Sequence, residues 1–215
     1  MASGSTVSPG NSSGTAGTLN VRGNASLVGT YTCDITGTGS TACDKIAATG
    51  AVSASGGLTI NLGTTAPTGF NQATSYSWTI MSGSSVNIAN MALGTTWTAS
   101  GTFALTTSGN TVVVTYTAPK PATPTGLTAS DGSSTAQVAV SWNAVTGATS
   151  YELFRNTANN FAGASSIYSG ATASYNDTGA APGQQYWYWV RASNASGSSD
   201  ASSPDTGYRK LTAPT

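Results

Sequence analysis

Two stretches separated by about forty residues decide the fold of the C-terminal half: Ser141-Trp142, and Pro182-Gly183-Gln184-Gln185-Tyr186-Trp187-Tyr188-Trp189-Val190-Arg191-Ala192. The first ends a short run in which Val138, Val140 and Trp142 alternate with small or polar residues. The second is a Pro-Gly turn that leads into another alternating run. A period of two is typical of a strand with one buried face, and a Pro-Gly pair marks a turn. The spacing therefore predicts a small β-sandwich.

Residues 124–210 as a whole resemble a fibronectin type III domain. A further strand is predicted at Tyr151-Glu152-Leu153-Phe154, and Tyr186 matches the position of the tyrosine corner of this fold. The resemblance implies a sandwich that spaces and presents other parts of secreted or surface proteins. Since this region contains no Cys, its core is expected to depend on the packing of Trp and Tyr side chains.

Residues 17–117 also consist of short alternating runs separated by turns rich in Gly and Ser. This half resembles the autotransporter-associated β-strand repeats in three stretches, which are Ser8-Pro9-Gly10-Asn11-Ser12 followed by Gly17-Thr18-Leu19-Asn20-Val21, Asp44-Lys45-Ile46-Ala47-Ala48-Thr49-Gly50, and residues 108–116. The resemblance implies the end of a right-handed parallel β-solenoid, and the stretch after Pro67 is interpreted as its cap. A β-sandwich is the alternative fold for this half.

The fold class predicted for the whole chain is all-β, with a solenoid end and cap at 17–117 and the fibronectin-like sandwich at 124–210. Residues 1–16 are rich in Ser, Gly and Thr, which predicts a flexible lead-in. The linker 118–123 is rich in proline, which predicts a stiff connection that holds the two domains apart. The start of the chain lacks the features of a signal peptide, so a secreted form is expected to have lost its leader.

The composition argues against most function classes. Charged residues are 7% of the 215 residues and the net charge is zero, so nucleic acid is not an expected partner. No apolar run is long enough to cross a bilayer, so no membrane insertion is expected. There is no His, and Glu152 is the sole Glu, which excludes a Ser-His-Asp or Cys-His arrangement. The acids are scattered, so the chain is predicted to be non-catalytic and to need no cofactor.

Cys33 and Cys43 are the two cysteines of the chain, with nine residues between them. A local disulfide is predicted, because such bonds suit an extracellular β-protein. It would close a short loop and contribute roughly 2–3 kcal/mol. The alternative is a pair of buried, reduced thiols.

Asp34 and Asp44 each follow one of these cysteines. If the cysteines are bonded, the two carboxylates lie close together and form a candidate Ca²⁺ site, with oxygens from Thr36 and Thr38 as further ligands. The alternative is two solvated loop acids, and no metal site is predicted from them.

An aromatic platform is the main candidate for a ligand site. Alternation places Tyr186 and Tyr188 in the core, so Trp187 and Trp189 are expected to point to the outer face. By the same alternation, Phe154 on the neighbouring strand is expected to point to this outer face as well. Phe154, Trp187 and Trp189 would form a flat surface for sugar rings or a partner domain. The alternative is that these rings are covered by Arg155, by Arg191 or by an adjacent domain.

The predicted function is a non-catalytic structural or adhesive part of a bacterial surface or secreted protein, acting as spacer and presenter. The alternative is a carbohydrate-binding ancillary module of a polysaccharide-degrading or adhesive protein. The expected partners are extracellular glycans or neighbouring protein domains.

Overall fold

The computed structural model describes residues 6–9 and 16–212. The predicted lead-in 1–16 and the Gly10-Asn11-Ser12 part of the repeat resemblance therefore lie largely outside the described residues. The chain divides into two compact units, Met1–Pro119 and Lys120–Thr215, and the division falls within the proline-rich segment 118–123. The described part is built from strands and one 3₁₀ turn, which confirms the all-β prediction.

Unit 1, in its described residues, contains ten strands: β1 (Thr6–Val7), β2 (Thr18–Val21), β3 (Ala25–Thr32), β4 (Lys45–Ala48), β5 (Val52–Asn61), β6 (Tyr76–Ser82), β7 (Val86–Asn87), β8 (Met91–Leu93), β9 (Thr102–Ser108) and β10 (Thr111–Thr117). From β1 to β6 the chain alternates between two sheets. One sheet has the order β1-β3-β5-β7, with β8 also paired to β5, and all of its pairs are parallel. The other has the order β2-β4-β6-β10-β9. In that sheet β2, β4 and β6 pair in parallel, whereas the hairpin β9–β10 adds to β6 antiparallel.

Parallel register stacks equivalent apolar side chains into columns in unit 1. Leu19 pairs with Ile46, and Ile46 pairs with Met81. Tyr31 pairs with Ile60 in the other sheet. The inner members of these columns are fully buried, whereas Leu19 on the edge strand is 39% exposed. Each added strand thus extends the same core, which explains why short runs separated by turns suffice to build it.

Glycines are required where one turn stacks on the next. The Asn24 side chain accepts a hydrogen bond from the Ala51 amide, and a Cβ on Gly50 would lie 2.2 Å from the Asn24 Oδ1 atom. Asn61 and Gly94 repeat this arrangement with the same 2.2 Å approach. A side chain at either glycine would therefore displace the asparagine that joins adjacent turns.

Aromatic residues from the stretch after Pro67 fill one end of the core of unit 1. The Trp97 ring packs edge-on against Phe103 at 4.8 Å and against Trp78 at 5.9 Å between centroids. Tyr116 contacts Phe103 at 5.1 Å. Trp78 is fully buried and donates its indole N–H to the Gly37 carbonyl at 2.9 Å, so its polar atom is satisfied.

Unit 2, in its described residues, contains strands β11 (Thr128–Ala129), β12 (Val138–Ser141), β13 (Ser150–Asn156), β14 (Ser165–Gly170), β15 (Ser174–Asp177), β16 (Tyr186–Asn194), β17 (Gly197–Ser198) and β18 (Asp205–Gly207), with a 3₁₀ turn at Phe161–Gly163. They form two antiparallel sheets, β11-β12-β15 and β14-β13-β16-β17, and β18 pairs with β16. Trp142, Leu153, Tyr188 and Val190 are buried between them. The inward positions on β16 are thus those that the alternation predicted.

Candidate functional site

Asp177 is the centre of a buried polar network in unit 2. It is 2% exposed, accepts a hydrogen bond from Arg155 Nη1 at 2.7 Å, and accepts another from the Tyr188 hydroxyl at 2.9 Å. Burial, together with the negative charge of Asp177, raises the pKa of Tyr188. Asp177 ends β15 in one sheet, whereas Arg155 and Tyr188 belong to the other. The network therefore joins the two sheets, and a stabilising role accounts for all of these contacts.

The outer face of β16 carries the residues of the predicted aromatic platform, but the structure corrects that prediction. Trp189 is only 4% exposed, and Phe154 and Trp187 are half-buried. The ring of Phe161 lies 5.9 Å from that of Trp189 and 5.1 Å from that of Phe154. Because Phe161 occupies the space above these rings, three exposed coplanar aromatics are not formed.

Phe161 reaches this position through a local turn. Asn160 caps the 3₁₀ turn with its side chain, which accepts a hydrogen bond from the Ala162 amide. The Arg191 guanidinium then lies 4.7 Å from the Phe161 ring centre and 5.9 Å from that of Phe154. This cation–π contact covers the cluster further. The alternative in which Arg191 covers the aromatic rings therefore describes the structure, while Arg155 lies over Tyr186 instead.

Cys33 and Cys43 are both free and buried in the structure, so the predicted disulfide is not found there. The Cys33 thiol donates to the Asp44 carbonyl at 3.4 Å, and the Cys43 thiol donates to the Thr79 carbonyl at 3.3 Å. A hydrogen bond with Cys43, together with burial, raises the pKa of Cys33. The two thiols are thus buried neighbours in the core of unit 1, an arrangement that fits the alternative of buried, reduced thiols.

Asp44 and Asp34 lie close together but have different surroundings, which corrects the candidate Ca²⁺ site. Asp44 is fully buried and its two oxygens accept hydrogen bonds from the amides of Gly17 and Asp34, at 2.7 and 3.3 Å. This carboxylate therefore holds two backbone amides in place and is closed to solvent. Among the described residues, no cluster of three or more His, Cys, Asp or Glu is placed to hold a metal ion.

Asp34 lines an open groove of about 370 Å³ together with residues of the loop that follows β5. Burial of its carboxyl group, together with the charge of Asp44, raises the pKa of Asp34. The remaining polar lining is provided by the hydroxyl groups of Thr36, Thr64, Thr65 and Thr68. Sequence reasoning identified Asp34 and Thr36 but missed the second loop, because nothing in its composition indicates which strand end it faces.

The comparisons with known proteins concern unit 2. The family model for the fibronectin type III domain matches residues 122–207. A solved Fn3-like protein from Clostridium thermocellum is 35% identical, with 43% of this chain and 98% of that chain covered and a TM-score of 0.39. The sixth fibronectin type III domain of human fibronectin type III domain containing protein 3 is 18% identical, with 46% and 95% covered and a TM-score of 0.39.

A search of curated proteins gave no match. No helix in the described part of the chain is long and apolar enough to cross a membrane. The two antiparallel sheets, the buried Trp142 and the tyrosine at the start of β16 agree with the family match. Residues 122–207 of this chain therefore form a fibronectin type III domain.

Proposed function

We propose that the chain is a non-catalytic structural or adhesive segment of a bacterial surface or secreted protein. In this proposal unit 1 closes a parallel β-solenoid, and the fibronectin type III domain spaces and presents neighbouring parts. The observation that carries the proposal is the parallel pairing of β1, β3 and β5 in one sheet and of β2, β4 and β6 in the other, followed by the antiparallel hairpin β9–β10.

The physical logic of stacked coils supports this role. Each coil buries its apolar face against the next, so a terminal coil needs a cover that does not continue the repeat. The change from parallel to antiparallel pairing at β6 and β10 is the kind of break that ends such a stack. Fibronectin type III domains are commonly non-catalytic structural or ancillary modules, which fits a chain that has no His and a single Glu.

Surface placement is tested with antibodies raised against the whole chain and applied to cells of the organism that encodes it. We expect intact cells to be labelled, because the proposal places the segment outside the cell. Permeabilised cells serve as the control for total protein. Labelling that appears only after permeabilisation would contradict the proposal.

The solenoid architecture is tested by hydrogen exchange of the whole chain carrying Leu27→Ala. Leu27 is buried in β3. Since a coil contacts only its neighbours, we expect faster exchange in β2 to β5 and little change in the hairpin β9–β10. A uniform increase throughout unit 1 is the result expected of a single cooperative sandwich, and it would argue against stacked coils. The fibronectin type III domain provides an internal control in the same sample.

A further inference from the structure

The groove beside Asp34 is formed where two neighbouring parallel strands end. β3 and β5 pair in parallel, so the loops that follow them leave the sheet at the same edge. The first loop contributes Asp34, and the second turns at Gly63, whose φ of +84° favours glycine. We call this feature the Asp34 groove, and its polar and apolar lining includes Asp34, Thr36, Thr64, Thr65, Pro67 and Thr68.

The polar groups of the Asp34 groove are largely unused by the protein itself. In the described part of the chain, the Asp34 carboxylate and the hydroxyl groups of Thr64, Thr65 and Thr68 form no hydrogen bond. Asp44 next to it is the opposite case, because both of its oxygens accept backbone N–H groups. A partly buried carboxylate and three hydroxyls thus face the same opening without protein partners.

The surroundings of Asp34 favour the protonated form of its carboxyl group. The same burial and the same negative neighbour that raise its pKa oppose its charged form. A group that donates hydrogen bonds into the groove would offset this cost. Carboxyl groups with a pKa raised in this way are found preferentially at functional sites.

We propose that the Asp34 groove binds a neutral carbohydrate. Two adjacent sugar hydroxyls donate to the Asp34 carboxylate, and the threonine hydroxyls donate to or accept from the remaining ones. The buried side chains of Leu62 and Pro67 supply an apolar floor for the C–H face of a ring. The size of the groove lies within the range of small-molecule sites.

The lining disfavours other ligand classes. No Lys or Arg belongs to it, so an anion would find no positive partner. A Ca²⁺ ion needs six to eight oxygens and usually several carboxylates, whereas Asp34 is the one acid in the lining. A neutral polyol matches a site with one strong acceptor and several groups that both donate and accept.

The test uses the whole chain and soluble hexasaccharides of cellulose, xylan, chitin and amylose as probes, with affinity measured by calorimetry and saturation-transfer NMR. At least one probe is expected to bind. Asp34→Asn keeps the shape and removes the charge, so affinity should fall about tenfold, as expected for loss of a charge-assisted hydrogen bond. Asp200→Asn, at an exposed acid of unit 2, makes the same change in net charge and should bind as the original chain does.

Folding is monitored by thermal unfolding, in which Asp34→Asn should be at least as stable as the original chain because an unfavourable charge is removed. Thr65→Val tests the groove a second time without altering charge, and it should also weaken binding. Equal affinity of the original chain and Asp34→Asn would overturn the proposal. Absence of binding to all four probes at millimolar concentration would do the same, as would saturable Ca²⁺ binding that Asp34→Asn abolishes. These outcomes are independent of surface labelling, so the two proposals fail separately.

Discussion

Trp78→Ala is expected to lower the free energy of unfolding of unit 1 by about 3–5 kcal/mol, the usual cost of removing a buried aromatic side chain. Trp78 is fully buried and stacks on Tyr76 at 5.6 Å, with Trp97 edge-on at 5.9 Å. Truncation of the Trp78 side chain leaves a cavity that the neighbouring rings of Tyr76 and Trp97 cannot fill. It also leaves the Gly37 carbonyl without the indole donor.

The measurement is hydrogen exchange of peptides from unit 1 and unit 2 in the same sample, because a single unfolding curve would mix the two units. Trp187→Ala is the matched control, since it makes the same chemical change at a half-buried position in unit 2. Trp78→Phe should lose less than Trp78→Ala because it retains ring contacts. If Trp78→Ala left the protection of unit 1 unchanged, the central packing role of this residue would be refuted.

Asp177→Ala is expected to destabilise the fibronectin type III domain by about 2–4 kcal/mol, because a buried carboxylate loses three hydrogen-bonding partners while Arg155 stays partly exposed to water. The substitution leaves Arg155 without its 2.7 Å partner and the Tyr188 hydroxyl without its acceptor. It also removes the acceptor of the Gly179 amide at 3.0 Å. Asp177→Ala thus removes the hydrogen-bond acceptor of three donor groups.

Asp200→Ala is the control, because Asp200 is an exposed acid of the same domain. Chemical denaturation followed by hydrogen exchange of unit 2 peptides measures both variants. Asp177→Asn should lie between them, since it keeps one acceptor oxygen but loses the charge. Equal stability of Asp177→Ala and Asp200→Ala would show that the network does not join the sheets energetically.

Alternation of apolar residues predicted the inner face of β16 correctly. Tyr188 and Val190 are fully buried, and Trp142, directly after β12, packs in the same core. Successive side chains in a strand point to opposite faces of the sheet. The face on which a residue lies can therefore be predicted from its position in the strand without knowing the fold. The resemblance of residues 124–210 to a fibronectin type III domain agrees with the family match at residues 122–207.

The aromatic residues on the outer face of β16 show what alternation cannot predict. Trp189 does point away from the main core, yet Phe161 from a separate turn covers it. Alternation predicts the direction in which a side chain points, but it does not predict which other residues pack against that side chain. Phe161 belongs to no alternating run, so no periodic signal indicated its role. No periodic signal indicated the ion pair between Arg155 and Asp177 either, because these two residues are 22 positions apart in the sequence.

The order of apolar and polar residues by itself determined that this chain forms strands, because strands depend on a period of two and on turn residues. In the fibronectin type III domain it also determined which faces of β12 and β16 point into the core. Only the tertiary structure decided which strands pair and where parallel pairing gives way to the antiparallel hairpin β9–β10, because alternation within a strand does not identify its partner. It also decided that Asp44 is buried beside the thiols and that Asp34 faces an open groove. Those environments arise because the pairing of β3 with β5 brings the loops that follow these strands together. No local pattern in the sequence indicates that these two loops meet.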